Sequence, residues 1–230
     1  MLRNLTECKR FALGTSSVPF AAVSLSDKGV FEMYRRGAIL VLIAGFLAAV
    51  GSTGSTQARE LEIGSKGPSF SATGIDGKEY DLESTAGAKA TVVVFTCNNC
   101  PVAIAYEDRF IDFQKKYGEN KDVKFIAINV NSSENLSAMK ERAEEKGINY
   151  VYAYDSTGDS ARAYGANVTP HVFVLDSSGN LAYRGSFDDK QKGPTKPHVE
   201  NAVDALLQGE EPKVQSTRAF GCGIRPASKK

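Results

Sequence analysis

Two cysteines separated by two residues are the clearest chemical feature of this chain. They lie in Cys97-Asn98-Asn99-Cys100-Pro101, directly after the apolar, β-branched run Thr91–Phe95. Such a run is typical of a buried strand in a mostly parallel sheet, and proline suits the first turn of a helix because the N–H that it lacks has no helical partner there. The pattern therefore predicts two thiols, one helical turn apart, at a strand-to-helix turn.

A thiol pair in this position is suited to redox chemistry. Unpaired N–H groups and the positive end of a helix dipole stabilise a thiolate, so the sequence predicts a lowered pKa and an attacking role for Cys97. Cys100 is then placed to resolve the mixed disulfide. An isolated pair of cysteines has two other interpretations: the residues could serve only in packing, or they could supply half of a zinc site. A structural zinc site needs four ligands, however, and the remaining cysteines, Cys8 and Cys222, are each isolated in the sequence.

The size and charge of the chain restrict its class. Its 230 residues, 42% of them hydrophobic, suffice for one ordinary core once the N-terminal segment is set aside. The 28 basic and 27 acidic residues are well mixed, and the net charge of +1 gives no electrostatic footprint for a nucleic acid or an anionic membrane surface. We therefore expect one globular domain that does not bind nucleic acid.

The N-terminal region has the pattern of an export signal. Tyr34-Arg35-Arg36 precedes an uncharged stretch at 37–50 and a small-residue segment at 51–58, in which Thr56-Gln57-Ala58 suits a cleavage site. Because this signal begins well inside the chain, directly after Met33, residues 33–58 are expected to be the signal peptide. Residues 1–32 are then an over-predicted start or an unusually long leader.

Export places the working domain, residues 59–210, in the periplasm or cell envelope, where disulfides persist. A C-terminal tail at 211–230 follows it and carries Cys222. An uncleaved signal would instead give transient membrane association or a retained anchor, although the apolar stretch is shorter than the roughly 20 residues that a spanning helix needs.

Strands and helices alternate after the signal. A β-hairpin is expected between Phe70 and Leu82, around the turn Asp76-Gly77. One helix is expected over Pro101–Tyr117, because aromatic residues recur there at helical spacing: Tyr106, Phe110, Phe113 and Tyr117. Further strands are predicted at Val123–Asn129, Val151–Tyr154, His171–Leu175 and Leu181–Gly185, and further helices after an Asn131/Glu134 capping pair, over Asp159–Tyr164 and around Val199–Leu207.

Four motifs occur in a characteristic order. They are Gly67-Pro68-x-Phe70, the Asp76-Gly77-Lys78 hairpin, the strand followed by Cys97-x-x-Cys100-Pro101, and Val168-Thr169-Pro170 ahead of a strand and hairpin. Over most of the region after the signal, the chain resembles thioredoxin-fold proteins of the redoxin branch, which joins peroxiredoxins with exported thiol-disulfide oxidoreductases. The resemblance implies an α/β, thioredoxin-like fold with a central mixed sheet flanked by helices and an N-terminal β-hairpin extension.

The same resemblance implies functional roles. Pro170 is expected to be cis, its loop to face the cysteine pair, and Thr169 to contact a bound substrate chain through its backbone. The implied activity is dithiol-disulfide exchange with protein disulfide or dithiol substrates and an upstream thiol redox partner, without a cofactor or metal. Exported relatives often end with a segment similar to Gly221-Cys222, so Cys222 is either a third thiol or a free packing cysteine.

The sequence also departs from the family pattern. Thr96 stands where a tryptophan commonly precedes the pair, and the chain has no Trp. Thr91 and Ala103 occupy positions at which relatives carry an acid, so the usual proton acceptor for Cys100 is not identified.

Two other functions use overlapping residues. A peroxidase would oxidise a cysteine to sulfenic acid and polarise the peroxide with Arg184, although Thr96 does not stand three residues ahead of either cysteine, as the peroxiredoxin pattern requires. A copper-binding module would use Cys97, Cys100 and His171 as a soft three-ligand set.

Overall fold

The computed structural model describes residues 60–226. The predicted signal peptide at 33–58, its cleavage site and the preceding segment with Cys8 lie outside the described residues. Every helix within 60–226 falls short of the length and hydropathy of a membrane-spanning segment.

Within residues 60–226, seven strands form one mixed sheet, and two more form a short separate pair. The strands are β1 (Ser71–Gly74), β2 (Glu79–Asp81), β3 (Ala90–Thr96), β4 (Val123–Asn129), β5 (Val151–Tyr154), β6 (Val168–Thr169), β7 (His171–Asp176), β8 (Leu181–Gly185) and β9 (Cys222–Gly223). The order across the large sheet is β2-β1-β5-β4-β3-β7-β8, and β6 pairs with β9. Strand β4 runs parallel to β3 and β5, whereas the other pairings are antiparallel.

Helices flank this sheet. In the described part they are α1 (Pro101–Ile104), α2 (Glu107–Tyr117), α3 (Leu136–Lys146), α4 (Asp159–Tyr164) and α5 (His198–Leu207), with a short 3₁₀ helix at Glu83–Thr85. The N-terminal hairpin of β1 and β2, the central mixed sheet and the flanking helices confirm the expected thioredoxin-like α/β architecture.

Strand β3 is buried along its whole length because apolar clusters cover both faces of the sheet. Val92 and Val94 contribute to the cluster that contains the aromatic residues of α2, whereas Val93 and Phe95 contribute to the cluster on the other side. The predicted aromatic face lies in the core as expected: Tyr106, Phe110, Phe113 and Tyr117. Burial on both faces holds the carboxyl end of β3, and with it Cys97, in a fixed position.

Two local predictions were wrong. The single helix expected over Pro101–Tyr117 is two helices, because the N–H of Tyr106 bonds the Ala103 carbonyl three residues back and closes a tight turn between α1 and α2. The expected Asn131/Glu134 cap is replaced by Asn135, whose side chain accepts a hydrogen bond from the Ala138 N–H at 3.0 Å. Glu134 is thereby left free for a different role.

Candidate active site

The two cysteines lie between β3 and α1, and both are buried, with Cys97 3% and Cys100 2% exposed. Cys100 is the residue that caps α1, and its sulfur accepts a hydrogen bond from the Ala103 N–H at 3.4 Å. Cys97 lies three residues before the cap. The first turn of α1 therefore donates an N–H group to the Cys100 sulfur, a contact that the sequence did not predict.

The loop containing Thr169 and Pro170 faces the cysteine pair, and the peptide bond between these two residues is cis. The Cys97 sulfur lies 3.3 Å from the Thr169 hydroxyl oxygen. The Cys100 thiol donates to the Thr169 carbonyl oxygen at 3.2 Å. One residue thus contacts both thiols, one through its side chain and the other through its backbone.

The environments of the two thiols differ in a way that the sequence did not predict. Burial raises the pKa of Cys97, and the negative charge of Glu134 adds to this, although the Thr169 hydroxyl opposes it. Burial also acts to raise the pKa of Cys100, but hydrogen bonds from Cys222, the Ala103 N–H and the Thr169 side chain outweigh it and hold that pKa below its ordinary value. The predicted lowering of the Cys97 pKa was therefore wrong, because burial outweighs the hydrogen bonds that Cys97 receives from Thr169 and from the Cys100 backbone N–H.

Glu134 anchors the loop that carries the thiols. Its buried carboxylate accepts hydrogen bonds from the backbone N–H groups of Asn98 at 2.9 Å and Asn99 at 3.3 Å, and from the Asn129 side chain at 2.7 Å. The Tyr152 hydroxyl donates to the Asn98 side-chain oxygen at 2.7 Å. Charge-assisted bonds to a buried carboxylate are among the stronger ones, so the loop is held firmly at this point.

Sequence reasoning missed this role of Glu134, which it had assigned to helix capping. The available signal was position: Glu134 shortly follows β4, and the carboxyl ends of the parallel strands β3 and β4 meet at one edge of the sheet. Ligand and catalytic groups of α/β sheets gather at that edge.

The structure brings Cys222 to the same place. Strand β9 pairs antiparallel with β6, and Cys222 lies opposite Thr169 in this pairing. A cleft of about 370 Å³ is lined by Cys97, Cys100 and Cys222 together with Asn99, Asn131, Ser133, Gly223, Ile224 and Arg225. Cys222 is exposed, unlike the other two thiols of the cleft, and all three are free of disulfide bonds.

The residues considered for other chemistries are placed differently. Arg184 pairs with the Glu60 carboxylate at 3.0 Å and donates to the Leu61 carbonyl at 2.9 Å. His171 is buried, and its ring packs against Phe173 with centroids 4.5 Å apart. Within residues 60–226, no group of three or more His, Cys, Asp or Glu side chains is arranged to hold a metal ion.

Comparison with known families agrees with this geometry. Residues 62–204 match the family model described as Redoxin. The chain belongs to the redoxin family. The matched region begins ahead of β1 and reaches into α5, so it contains the cysteine pair and the Thr169–Pro170 loop but ends before Cys222.

Individual relatives of this redoxin domain are more distant. Thiol-disulfide oxidoreductase ResA of Bacillus thuringiensis subsp. konkukian is 28% identical over 129 residues, which are 55% of this chain and 70% of that protein. Such relatives confirm the expectation of an oxidoreductase enzyme.

Among solved structures, an uncharacterized conserved protein from Geobacillus kaustophilus matches with a TM-score of 0.69 and 31% identity, covering 75% of this chain and 96% of that one. A peroxiredoxin-like protein from Aquifex aeolicus matches with a TM-score of 0.52 and 22% identity, covering 64% and 89%, and supports the fold alone.

Proposed function

We propose that the protein catalyses dithiol-disulfide exchange with protein substrates through Cys97 and Cys100. The observation that carries this proposal is the convergence of both thiols on Thr169, at 3.3 and 3.2 Å, beside the cis Pro170. A strand docked against Thr169 lies next to both sulfurs, which is what a disulfide in an extended substrate chain requires. Pairing along an exposed strand edge is a common way to bind an extended peptide.

The exchange proceeds in two steps. The Cys97 thiolate attacks a substrate disulfide, forms a mixed disulfide and releases one substrate sulfur, which takes up a proton. The Cys100 thiolate then attacks the Cys97 sulfur, which closes the Cys97–Cys100 disulfide and releases the second substrate thiol. The substrate gains two electrons and two protons, and an upstream protein dithiol returns the enzyme to its reduced form.

The contacts of each thiol support this division of roles. Cys100 has the lowered pKa and the N–H partner that keep it ready to resolve the mixed disulfide. Cys97 is buried while Cys222–Arg225 line the cleft, so its attack on a protein substrate requires this segment to move away. Exposure of Cys97 removes the burial that raises its pKa.

We propose that this reaction takes place outside the cytoplasm. The support is the signal pattern at residues 34–58, which lies outside the described residues. Sequencing the N-terminus of protein recovered from the native cell envelope tests it. We expect a start between Gln57 and Leu61, and an intact Met1 on a cytosolic protein would overturn both export and the Met33 start.

Insulin-disulfide reduction tests the activity. The reduced protein should precipitate insulin B chain, whereas Cys97→Ser should not. An inactive wild-type protein would overturn the proposal.

A thiol peroxidase is the second candidate, and the lowered pKa of Cys100 beside a third thiol is the observation that favours it. Hydroperoxide consumption measured on the same preparations separates the two. Retention of peroxide consumption by Cys97→Ser would favour the peroxidase.

A further inference from the structure

A C-terminal segment, residues 215–226, which we call the tail strap, crosses the domain from β8 to the cysteine pair. It is attached through backbone groups at three places. The bonds are Arg184 N–H to Gln215 O and Thr217 N–H to Arg184 O, each 3.0 Å; Ile224 N–H to Asn167 O, 3.0 Å; and Ser132 N–H to Arg225 O, 3.0 Å, with Arg225 N–H to the Asn131 side chain at 2.9 Å. The strap is thus held on both sides of Cys222.

The strap approaches the active-site loop so closely that only glycine fits at the contact. A Cβ atom on Gly221 would overlap the carbonyl oxygen of Thr169. Gly223, two residues further along the same strand, has open space instead, because its Cβ would come no nearer than 4.0 Å to any neighbour, the closest being the Asn167 oxygen. Close approach is therefore required at Gly221, directly before Cys222, and not along the whole strap.

This pairing occupies the edge at which a substrate strand would bind. Thr169 contacts Cys97 through its hydroxyl, accepts a hydrogen bond from the Cys100 thiol at its carbonyl oxygen and pairs with Cys222 across the β6–β9 ladder. Strand β9 also packs against α1, which carries Cys100 at its cap. The strap therefore lies where the proposed function places a substrate chain, and Cys222 lies where that chain would carry its reacting sulfur.

We propose that Cys222 is a third redox thiol, which takes the disulfide from the buried pair and presents it at the protein surface. This inference rests on the proposed exchange activity. After turnover, the Cys222 thiolate attacks the Cys100 sulfur of the Cys97–Cys100 disulfide. A Cys100–Cys222 bond forms, the Cys97–Cys100 bond breaks, and Cys97 takes up the proton that Cys222 lost. No electrons enter or leave in this step.

Burial explains why such a transfer is useful. The sulfurs of the original pair belong to residues only 3% and 2% exposed, whereas Cys222 is exposed. An upstream protein dithiol therefore reaches the disulfide at the Cys222 sulfur. Its attack forms a mixed disulfide with Cys222 and releases Cys100, and a second attack within the donor frees Cys222. Cys100 is a suitable leaving group because the Ala103 N–H donates to its sulfur at 3.4 Å, and a stabilised thiolate leaves faster.

Disulfide mapping tests the bond directly. Cys97→Ser, oxidised with glutathione disulfide and digested, should give Cys100–Cys222 as its main bridge. Gly221→Ala should lower the yield of this bridge about tenfold in that background, because the strap can no longer approach Thr169, whereas the matched control Gly223→Ala should retain it. Absence of the bridge from Cys97→Ser, or equal yields in the two glycine variants, would overturn the proposal.

Turnover tests the role of the bond. Insulin reduction is measured for each protein with a protein dithiol such as thioredoxin as the reductant and again with dithiothreitol. The ratio of the first rate to the second should be about tenfold lower for Cys222→Ser than for the wild type. Dithiothreitol is small enough to enter the cleft, so an equal decline with both reductants would contradict a surface relay. A wild-type protein that forms the Cys100–Cys222 bridge but reduces no insulin would overturn the proposed function while leaving the bridge established.

Discussion

The redox loop, Cys97–Cys100, and the tail strap both meet at Thr169, but they are held there in different ways. The two cysteines of the loop are buried, and the loop is fixed by the charged side chain of Glu134, which binds two of its backbone N–H groups. The strap is mostly exposed around Cys222 and is attached there by backbone hydrogen bonds. Opening the loop would leave the buried Glu134 carboxylate without its two backbone partners, whereas bonds broken in the exposed strap can be replaced by water.

This difference indicates that the two regions have different stabilities in one site. The proposed exchange requires the loop to hold its two sulfurs in place and the strap to move aside. A protein that must admit a substrate chain needs a removable segment at that edge, and low local stability is what such segments share.

The largest expected effect comes from removing one thiol of the loop. Cys100→Ser should accumulate a stable mixed disulfide between Cys97 and its substrate, because the attacking step survives and the resolving thiol is gone. Non-reducing electrophoresis and mass spectrometry check this. Cys97→Ser is the control and should trap no substrate, and an adduct located on Cys100 in the Cys97→Ser protein would reverse the roles of the two thiols.

The next effect concerns His171, the buried residue that directly follows the Thr169–Pro170 loop. Burial, helped by the charge of Arg184, lowers the pKa of His171 to about 4. The unfolded chain takes up this proton near pH 6.5 and the folded protein does not. The contribution of neutral His171 to the free energy of unfolding is therefore fully present above pH 6.5 and is lost as the pH falls towards 4. In His171→Phe, the free energy of unfolding should fall by up to about 3 kcal/mol less over this pH range than in the wild type.

Urea unfolding of His171→Phe and of the wild type between pH 4 and 7 measures this effect. Parallel curves for His171→Phe and the wild type would contradict a neutral, buried His171.

Glu134→Gln should lower the free energy of unfolding by about 2 kcal/mol, because an amide cannot reproduce the charge-assisted bonds to both backbone N–H groups of the Cys97–Cys100 loop. The pKa of Cys97 should also fall towards its ordinary value, since the Glu134 charge is one of the causes that raise it. Iodoacetamide alkylation across pH reports the shift. Glu144→Gln, on the exposed face of α3, should change neither quantity.

The smallest effect is expected in the strap. The Thr217 hydroxyl oxygen lies 2.6 Å from the Tyr183 hydroxyl and accepts from the Ser186 N–H at 3.0 Å. Thr217→Val should lower the local stability of the strap by about 1 kcal/mol. Hydrogen exchange should quicken at the amides of Cys222–Ile224 and not at those of Asn98 and Asn99, and equal acceleration in both segments would show that they open together.

Most elements could be predicted from the sequence because their signals are local. The hairpin at Asp76-Gly77, the strands through Val151–Tyr154 and Leu181–Gly185, and the helix over Asp159–Tyr164 all lie where apolar periodicity and turn residues predict them. The division of the helix after Cys100 was missed, because it depends on one Tyr106 hydrogen bond to the preceding turn.

The electrostatics of the site were less predictable than its residues. A strand followed by Cys-x-x-Cys-Pro identifies two thiols at a helix start, but burial and distant partners decide their pKa values. Burial raises the pKa of Cys97, whereas hydrogen bonds led by that of Cys222 lower the pKa of Cys100. Glu134 acts on the pair only because the parallel strands β3 and β4 bring their carboxyl ends together.

The sequence suffices to predict the order of strands and helices, the position of Cys97 and Cys100 between a strand and a helix, and the loop of Thr169 and Pro170, because apolar periodicity and short motifs involve neighbouring residues. Three features could be seen only in the folded domain: which thiol has the lowered pKa, how Glu134 holds the loop, and where Cys222 approaches the pair. These three features depend on contacts between residues more than thirty positions apart, and the last of them on a backbone pairing that exists only once the domain has folded.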